Sequence, residues 1–191
     1  MLTEHQSGGK TVWVDLYNPT NEEIALACGT YGLDIPPREQ LEEIEFSSRL
    51  QYEDDVFTVS VPVTPHVTNQ AEDVTTPLGF VLTKDLLVTV RFAQLHTFEA
   101  ITARVKRRER SAPDIFMVIL EAMIDYGADR LEELRAEAQR ISQRIFHKGI
   151  QDQQTYNVSG VNRMLRDTLV QIGDMGERLS HIRDTLLVLQ R

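Results

Sequence analysis

Between residues 124 and 189, apolar residues recur at alternating steps of three and four. No other feature of the chain restricts its fold as much. The first stretch carries Ile124, Gly127, Leu131, Leu134, Ala138, Ile141 and Ile145. The second carries Val158, Val161, Leu165, Thr168, Ile172, Met175, Leu179, Ile182, Leu186 and Leu189. A seven-residue repeat held over this many turns specifies two long helices packed as in a coiled coil. The connection from His147 to Thr155 is short and contains Gly149, which predicts an antiparallel hairpin. Each helix would be about 50 Å long at a rise of about 1.5 Å per residue. A turn near Gln151 sets Gly127 level with Gly173 and Gly176. Glycine costs a helix roughly 1 kcal/mol relative to alanine, so a close crossing of the two backbones is expected there.

The residues before Pro113 alternate strand and helix signals. Val12 to Leu16 reads as a strand ending at the Asn18-Pro19 turn. Thr20 and Glu23 have capping-box spacing. The helix they open should run from about Asn21 to Tyr31, with Ile24, Leu26 and Ala27 inward and Gly32 as its stop. Pro36 and Pro37 suit the first turn of a short helix carrying Leu41 and Ile44. Arg49–Glu53 and Val56–Val63 alternate with period two around an Asp54-Asp55 turn. Pro62 ends the second strand or puts it at an edge. Residues 64–73 read as a loop. A second hairpin, 78–83 with 86–91, turns at Lys84-Asp85. A helix from about Leu95 to Arg110 follows, with Phe98, Ile101 and Val105 as its inner stripe. Strands framed by helices at both ends predict a sheet covered on both faces. The expected units are therefore 1–112 and 113–191.

Composition narrows the function classes. The longest strictly apolar run, Ile115 to Leu120, is six residues, against the roughly 20 a membrane span requires. A net charge of −9 argues against a nucleic-acid partner and is compatible with attraction of divalent cations. The lone Cys28 excludes an internal disulfide and reads as a small core side chain. The five histidines, His5, His66, His96, His147 and His181, lack metal-ligand spacing. Gly8-Gly9 lacks the context of a phosphate loop. No catalytic set is visible, so an enzyme is not expected. The one basic cluster, Arg104 to Arg110, reads as a solvated helix end, with docking of anionic headgroups or an acidic neighbour as the alternative.

Between Gln40 and Asp55 lie six carboxylates: Glu42, Glu43, Glu45, Glu53, Asp54 and Asp55. Hard oxygen donors at this density suit Mg2+ or Ca2+ better than zinc or copper. A solvated helix face followed by an acidic turn is the competing reading.

Val12-Trp13-Val14-Asp15-Leu16, the acidic segment, Gly79 to Arg91 and the two long helices stand in an order that resembles the cytoplasmic part of the CorA family of magnesium transporters. The resemblance covers nearly the whole chain. It implies an α+β fold, an α/β/α sandwich with a mixed sheet followed by a long antiparallel hairpin. It further implies a stalk helix, two membrane spans and a Gly-Met-Asn loop beyond Arg191, in a pentamer of a protein from which this chain would be a non-conducting piece. The family pattern Leu-Glu-Asp-Ile-Glu reads here Leu41-Glu42-Glu43-Ile44-Glu45. The sensing carboxylate then maps to Glu43, with Glu42 beside it and Glu in place of Asp, and its partner comes from the stalk of the next subunit. The function so implied is a cytoplasmic Mg2+-sensing domain of a divalent-cation transporter, with Co2+ a second cargo. A zinc-transporting relative and a soluble coiled-coil adaptor are the alternatives.

Overall fold

The computed structural model describes residues 1–43, 49–65, 75–151 and 158–190. Its centre is a six-stranded mixed sheet in the order β1-β2-β6-β5-β4-β3. The strands are β1 (Leu2–Ser7), β2 (Lys10–Tyr17), β3 (Leu50–Glu53), β4 (Val56–Val63), β5 (Thr76–Leu82) and β6 (Leu87–Arg91). The helices are α1 (Asn21–Tyr31), α2 (Arg38–Leu41), α3 (His96–Val105), α4 (Ala112–Gln151) and α5 (Val158–Leu189). Strands β2 and β6 pair in parallel, with Trp13 opposite Leu87, and the other pairs are antiparallel. The α+β sandwich and its long hairpin are thus as the sequence leads one to expect.

Strand β1 was not anticipated. It is an edge strand of mostly polar residues that buries only His5, so it lacks an apolar alternation to read. Gly8 and Gly9 join it to β2 with φ of 58° and 79°, the left-handed pair that a two-residue hairpin turn requires. Asp54 and Asp55 do the same for β3 and β4, with φ of 49° and 62°. Pro62 sits where β4 has run past the end of β3. Its unpaired side is met by α5, whose Thr185 hydroxyl donates to the Pro62 carbonyl at 2.6 Å.

The two faces of the sheet carry separate cores. On one, Trp13, Val61, Leu78 and Phe80 pack against Phe98 and Ile101 of α3, Ile115 and Ile119 of α4, and Val188 of α5. On the other, Val14, Leu16, Val81, Val88 and Val90 receive Ile24, Ala27, Ile35 and Leu41. Helix α1 starts on the predicted capping box: the Glu23 amide donates to the Thr20 hydroxyl at 3.2 Å, and the Thr20 amide to the Glu23 carboxylate at 3.0 Å. Gly32 closes it with φ 65°. Leu26, expected inward, is 70% exposed. Two residues turn an α-helix by about 200°, so Leu26 cannot share a face with Ile24.

Helix α3 ends at Val105, five residues short of the expectation, because the chain must reverse into α4. There Ser111 and Asp114 form a reciprocal cap, with the Asp114 amide on the Ser111 hydroxyl at 3.3 Å. Helices α4 and α5 are antiparallel. Arg178 pairs with Glu137 at 3.0 Å, and Arg144 reaches Gln171 at 3.5 Å. This register overturns the expected glycine crossing. Gly127 faces Leu186, whose Cδ2 lies 3.5 Å from the position a Cβ would take, while Gly173 and Gly176 have nothing within 4 Å. Helix α4 runs on through Gln151, where the turn had been placed, and this moves every level of α5 along α4. The seam is also rotated. Thr168 and Ile141 are buried, but Ile124, Ala138, Leu165, Ile172 and Leu179 lie exposed.

Candidate metal site

An irregular stretch, residues 33–37, ending at Pro37 in extended conformation (φ −70°, ψ 169°), delivers α2 to the sheet. Ile35 is 2% exposed, and its amide lies 3.4 Å from the Cys28 sulfur. Leu41 drops its side chain onto Gly79 of β5. A Cβ at Gly79 would stand 2.7 and 2.9 Å from the two Leu41 methyls, so only glycine allows this approach. The Leu41 carbonyl, left without a helical partner at the end of α2, accepts from the Ser60 hydroxyl at 2.6 Å. A four-residue helix has little stability of its own. Packing and this bond from β4 hold it in place.

The anchored turn carries the two acids expected at the site. Glu42 is the C-terminal cap of α2, and its carboxylate accepts from Arg38 Nε at 2.7 Å. Arg38 in turn lies over the Phe92 ring, 5.0 Å from the centroid. Glu42 is thus already engaged by a cation. Glu43 is exposed. Its backbone carbonyl accepts from Arg49 Nε at 3.1 Å, and its carboxylate is free of ion pairs and hydrogen bonds among the described residues. Ile44 and Glu45 lie outside the described residues.

The structure divides the acidic segment. Glu42 and Glu43 sit beside Ser60, whereas Asp54 and Asp55 form the tip of the β3–β4 hairpin. The tip lies five residues before Ser60, past the start of β4, roughly 16 Å away at about 3.3 Å per residue. Asp55 is also taken up locally, accepting from the Tyr52 hydroxyl at 2.9 Å. Among the described residues no group of three or more His, Cys, Asp or Glu side chains is arranged to hold a metal ion. Of the two acids described on this turn, Glu43 is the one that offers a cation a free carboxylate. Mg2+ fits such a donor: it keeps several waters and is commonly held by one or two carboxylates.

A buried polar chain between β2 and β6 was missed at the sequence level. Trp13 Nε1 donates to Thr89 Oγ1 at 3.0 Å, and Thr89 donates to Asp15 at 2.8 Å. Arg91 grips Asp15 through Nε and a second nitrogen, the shortest contact being 2.9 Å. Its guanidinium is packed between Tyr17 and Phe98. An Asp inside an otherwise apolar strand was the available signal, because a buried charge requires a partner. His5 stacks on Trp13 at 4.3 Å. Burial first, then nearby Lys106, lowers its pKa, while Asp15 opposes the shift. Arg104 of the basic cluster bridges α3 to α4 through Glu121 at 3.1 Å.

The fold defines a class of protein: an α+β sandwich on a six-stranded mixed sheet that continues into a long antiparallel helical arm. A family model described as CorA-like Mg2+ transporter protein matches residues 8–190, and the chain belongs to that family. It is 28% identical over 190 residues to the magnesium transport protein CorA of Campylobacter jejuni (strain RM1221), covering 94% of this chain and 55% of the relative. To the Wolinella succinogenes protein of the same name it is 27% identical, covering 85% of this chain and 54% of the relative. The chain thus spans about half the length of the curated relatives it matches. Its fold is similar to the soluble domain of CorA from Methanocaldococcus jannaschii, with a TM-score of 0.56 at 16% identity, over 93% of this chain and 80% of that one. The complete magnesium transporter from the same organism gives 0.52 at 18% identity, over 93% and 63%.

Proposed function

We propose that this chain is the cytoplasmic, Mg2+-sensing region of a CorA-type divalent-cation transporter, with Mg2+ as the principal cargo and Co2+ as a second. The observation that carries the reading is Glu43: an exposed, unengaged carboxylate on a turn fixed by Leu41, Gly79 and Ser60. One carboxylate is half of a weak magnesium site. A neighbouring subunit of a homo-oligomer, a pentamer on the family pattern, supplies the other half, so the ion is held only where two subunits meet. Glu42 joins the site only by giving up Arg38. Insertion into the membrane belongs, on this reading, to sequence outside these 191 residues. Family membership and the negative charge of the chain support it, and among the described residues no helix is long and apolar enough to cross a membrane.

The reading is tested by Mg2+ titration of the chain followed by amide chemical shifts. Saturation in the millimolar range is expected, with shifts centred on Glu42 and Glu43 that disappear in Glu43→Gln. Micromolar one-to-one binding, or a shift pattern untouched by Glu43→Gln, would overturn it. In the parent transporter, Glu43→Ala should leave flux less sensitive to internal Mg2+.

A further inference from the structure

Three segments distant in sequence converge at one end of the sheet. The β1–β2 turn places Lys10 at the start of β2. The β5–β6 turn presents Lys84 and Asp85, and is pinned by Thr83, whose hydroxyl accepts from the Leu86 amide at 3.0 Å. Because β2 and β6 are parallel neighbours with Trp13 opposite Leu87, continuing that register brings Lys10 level with Lys84. The third segment is the link from α3 to α4, tied to the first where the Arg110 amide donates to the Ser7 hydroxyl at 3.0 Å.

Between them lies a cleft of about 480 Å3, lined by Lys10, Lys84, Arg110, Asp85, Glu109 and Ser111 among others. A volume of this size falls in the range of small-ligand sites. Among the described residues neither lysine nor the Arg110 guanidinium forms an ion pair. The Nε of Arg110 is sealed from solvent without a hydrogen-bond partner, a costly state for a cationic donor. Lys106, Arg107 and Arg108 belong to the same link. In a chain of net charge −9 this is a concentrated positive end. The two carboxylates in the cleft reduce its charge without neutralising it.

We propose that this cleft binds a phosphate-bearing anion with at least two negative charges, of the diphosphate or clustered-phosphate class. Lys10 and Lys84 reach it from the two turns, and Arg110 closes on it from the link. Such a guanidinium is suited to two-pronged contact with phosphate oxygens. The cleft lies on different elements from the Glu43 turn, so its ligand is independent of the metal reading.

The test is calorimetry on the full chain with sodium pyrophosphate and with metal-free ATP, beside co-sedimentation with vesicles containing phosphatidic acid. Saturable binding to the soluble anions identifies a free ligand, and binding to vesicles alone identifies a lipid headgroup. In either case Lys84→Glu should weaken binding about tenfold or more, near 1.4 kcal/mol, and Glu109→Gln should tighten it by removing a competing carboxylate. Arg110→Gln should also weaken it, with circular dichroism establishing that the variant is folded. No binding by either probe, or binding indifferent to both Lys84→Glu and Glu109→Gln in folded protein, overturns the proposal.

Discussion

Replacing Gly79 by alanine tests whether α2 is held on the sheet in the way described. Gly79 lies in the middle of β5, between Ser60 of β4 and Val90 of β6. The new methyl would stand 2.7 Å from one Leu41 methyl and 2.9 Å from the other. Carbon atoms prefer a separation of about 3.5 Å or more, so Leu41 must retreat by roughly 0.8 Å. Leu41 is 4% exposed and walled in, and overpacking of this kind costs about 1–3 kcal/mol. Alanine gains back about 0.5–1 kcal/mol by replacing a flexible glycine in a strand, leaving a net loss near 1–2 kcal/mol. In a Leu41→Ala background the clash is absent and only the gain remains. Gly79→Ala should therefore be neutral or stabilising there, even though Leu41→Ala itself costs about 2–5 kcal/mol. Urea unfolding of the four proteins in a double-mutant cycle measures the coupling, expected at about 1.5 kcal/mol or more. Equal effects of Gly79→Ala in both backgrounds would refute the close approach of α2, and with it the fixed position of the acidic turn.

Gly127→Ala should raise stability by about 1 kcal/mol in the same assay, since helix propensity improves and the new methyl meets Leu186 at an ordinary 3.5 Å. A loss would mean that the helices cross more closely at this level. Thr20→Ala should cost about 1 kcal/mol through loss of the α1 cap, and Thr20→Ser should restore most of it. The pKa of His5 is lowered on folding, so the unfolded chain takes up a proton first as pH falls below about 6.5. Stability from this group is complete above that pH and declines below it, down to the folded-state pKa. His5→Phe should flatten the change in urea midpoint between pH 7.5 and 5.5, and an unchanged slope would place the transition elsewhere.

Local chemistry was legible in the sequence wherever one residue type answers one backbone demand. Thr20 with Glu23, Gly32, Asp54-Asp55 and the Phe98-Ile101-Val105 stripe all do what their spacing implies. Periodicity also identified α4 and α5, but a heptad pattern reports that a helix has an apolar arc and not which part of it meets a given partner. Hence Leu165, Ile172 and Leu179 were assigned to a seam that they do not enter. Register across the hairpin depends on where the turn falls, and an error of a few residues there displaced Gly127 from Gly173 to Leu186. The acidic segment showed its composition but not its division, because chain proximity of Glu43 and Asp54 says nothing of the strand that separates them. Asp15 and Arg91 met only through the pairing of β2 with β6, a contact between distant residues that no local pattern encodes.

The return of α5 to the sheet constrains the order in which the molecule is made. Thr185 closes on Pro62 across 123 residues of chain, and Val188 fills the same core as Trp13 and Phe80. Synthesis proceeds at roughly 5–20 residues per second, so an emerging chain presents Trp13, Val61 and Phe80 several seconds before the share of their cover that α5 supplies exists. Contacts this far apart in sequence also slow folding. Helices α3 and α4 cover most of that face earlier, and the part that Val188 fills stays open until α5 has emerged. Ribosomes stalled before α5 should hold a chain that binds chaperones, and stalling after α5 has emerged should weaken that binding.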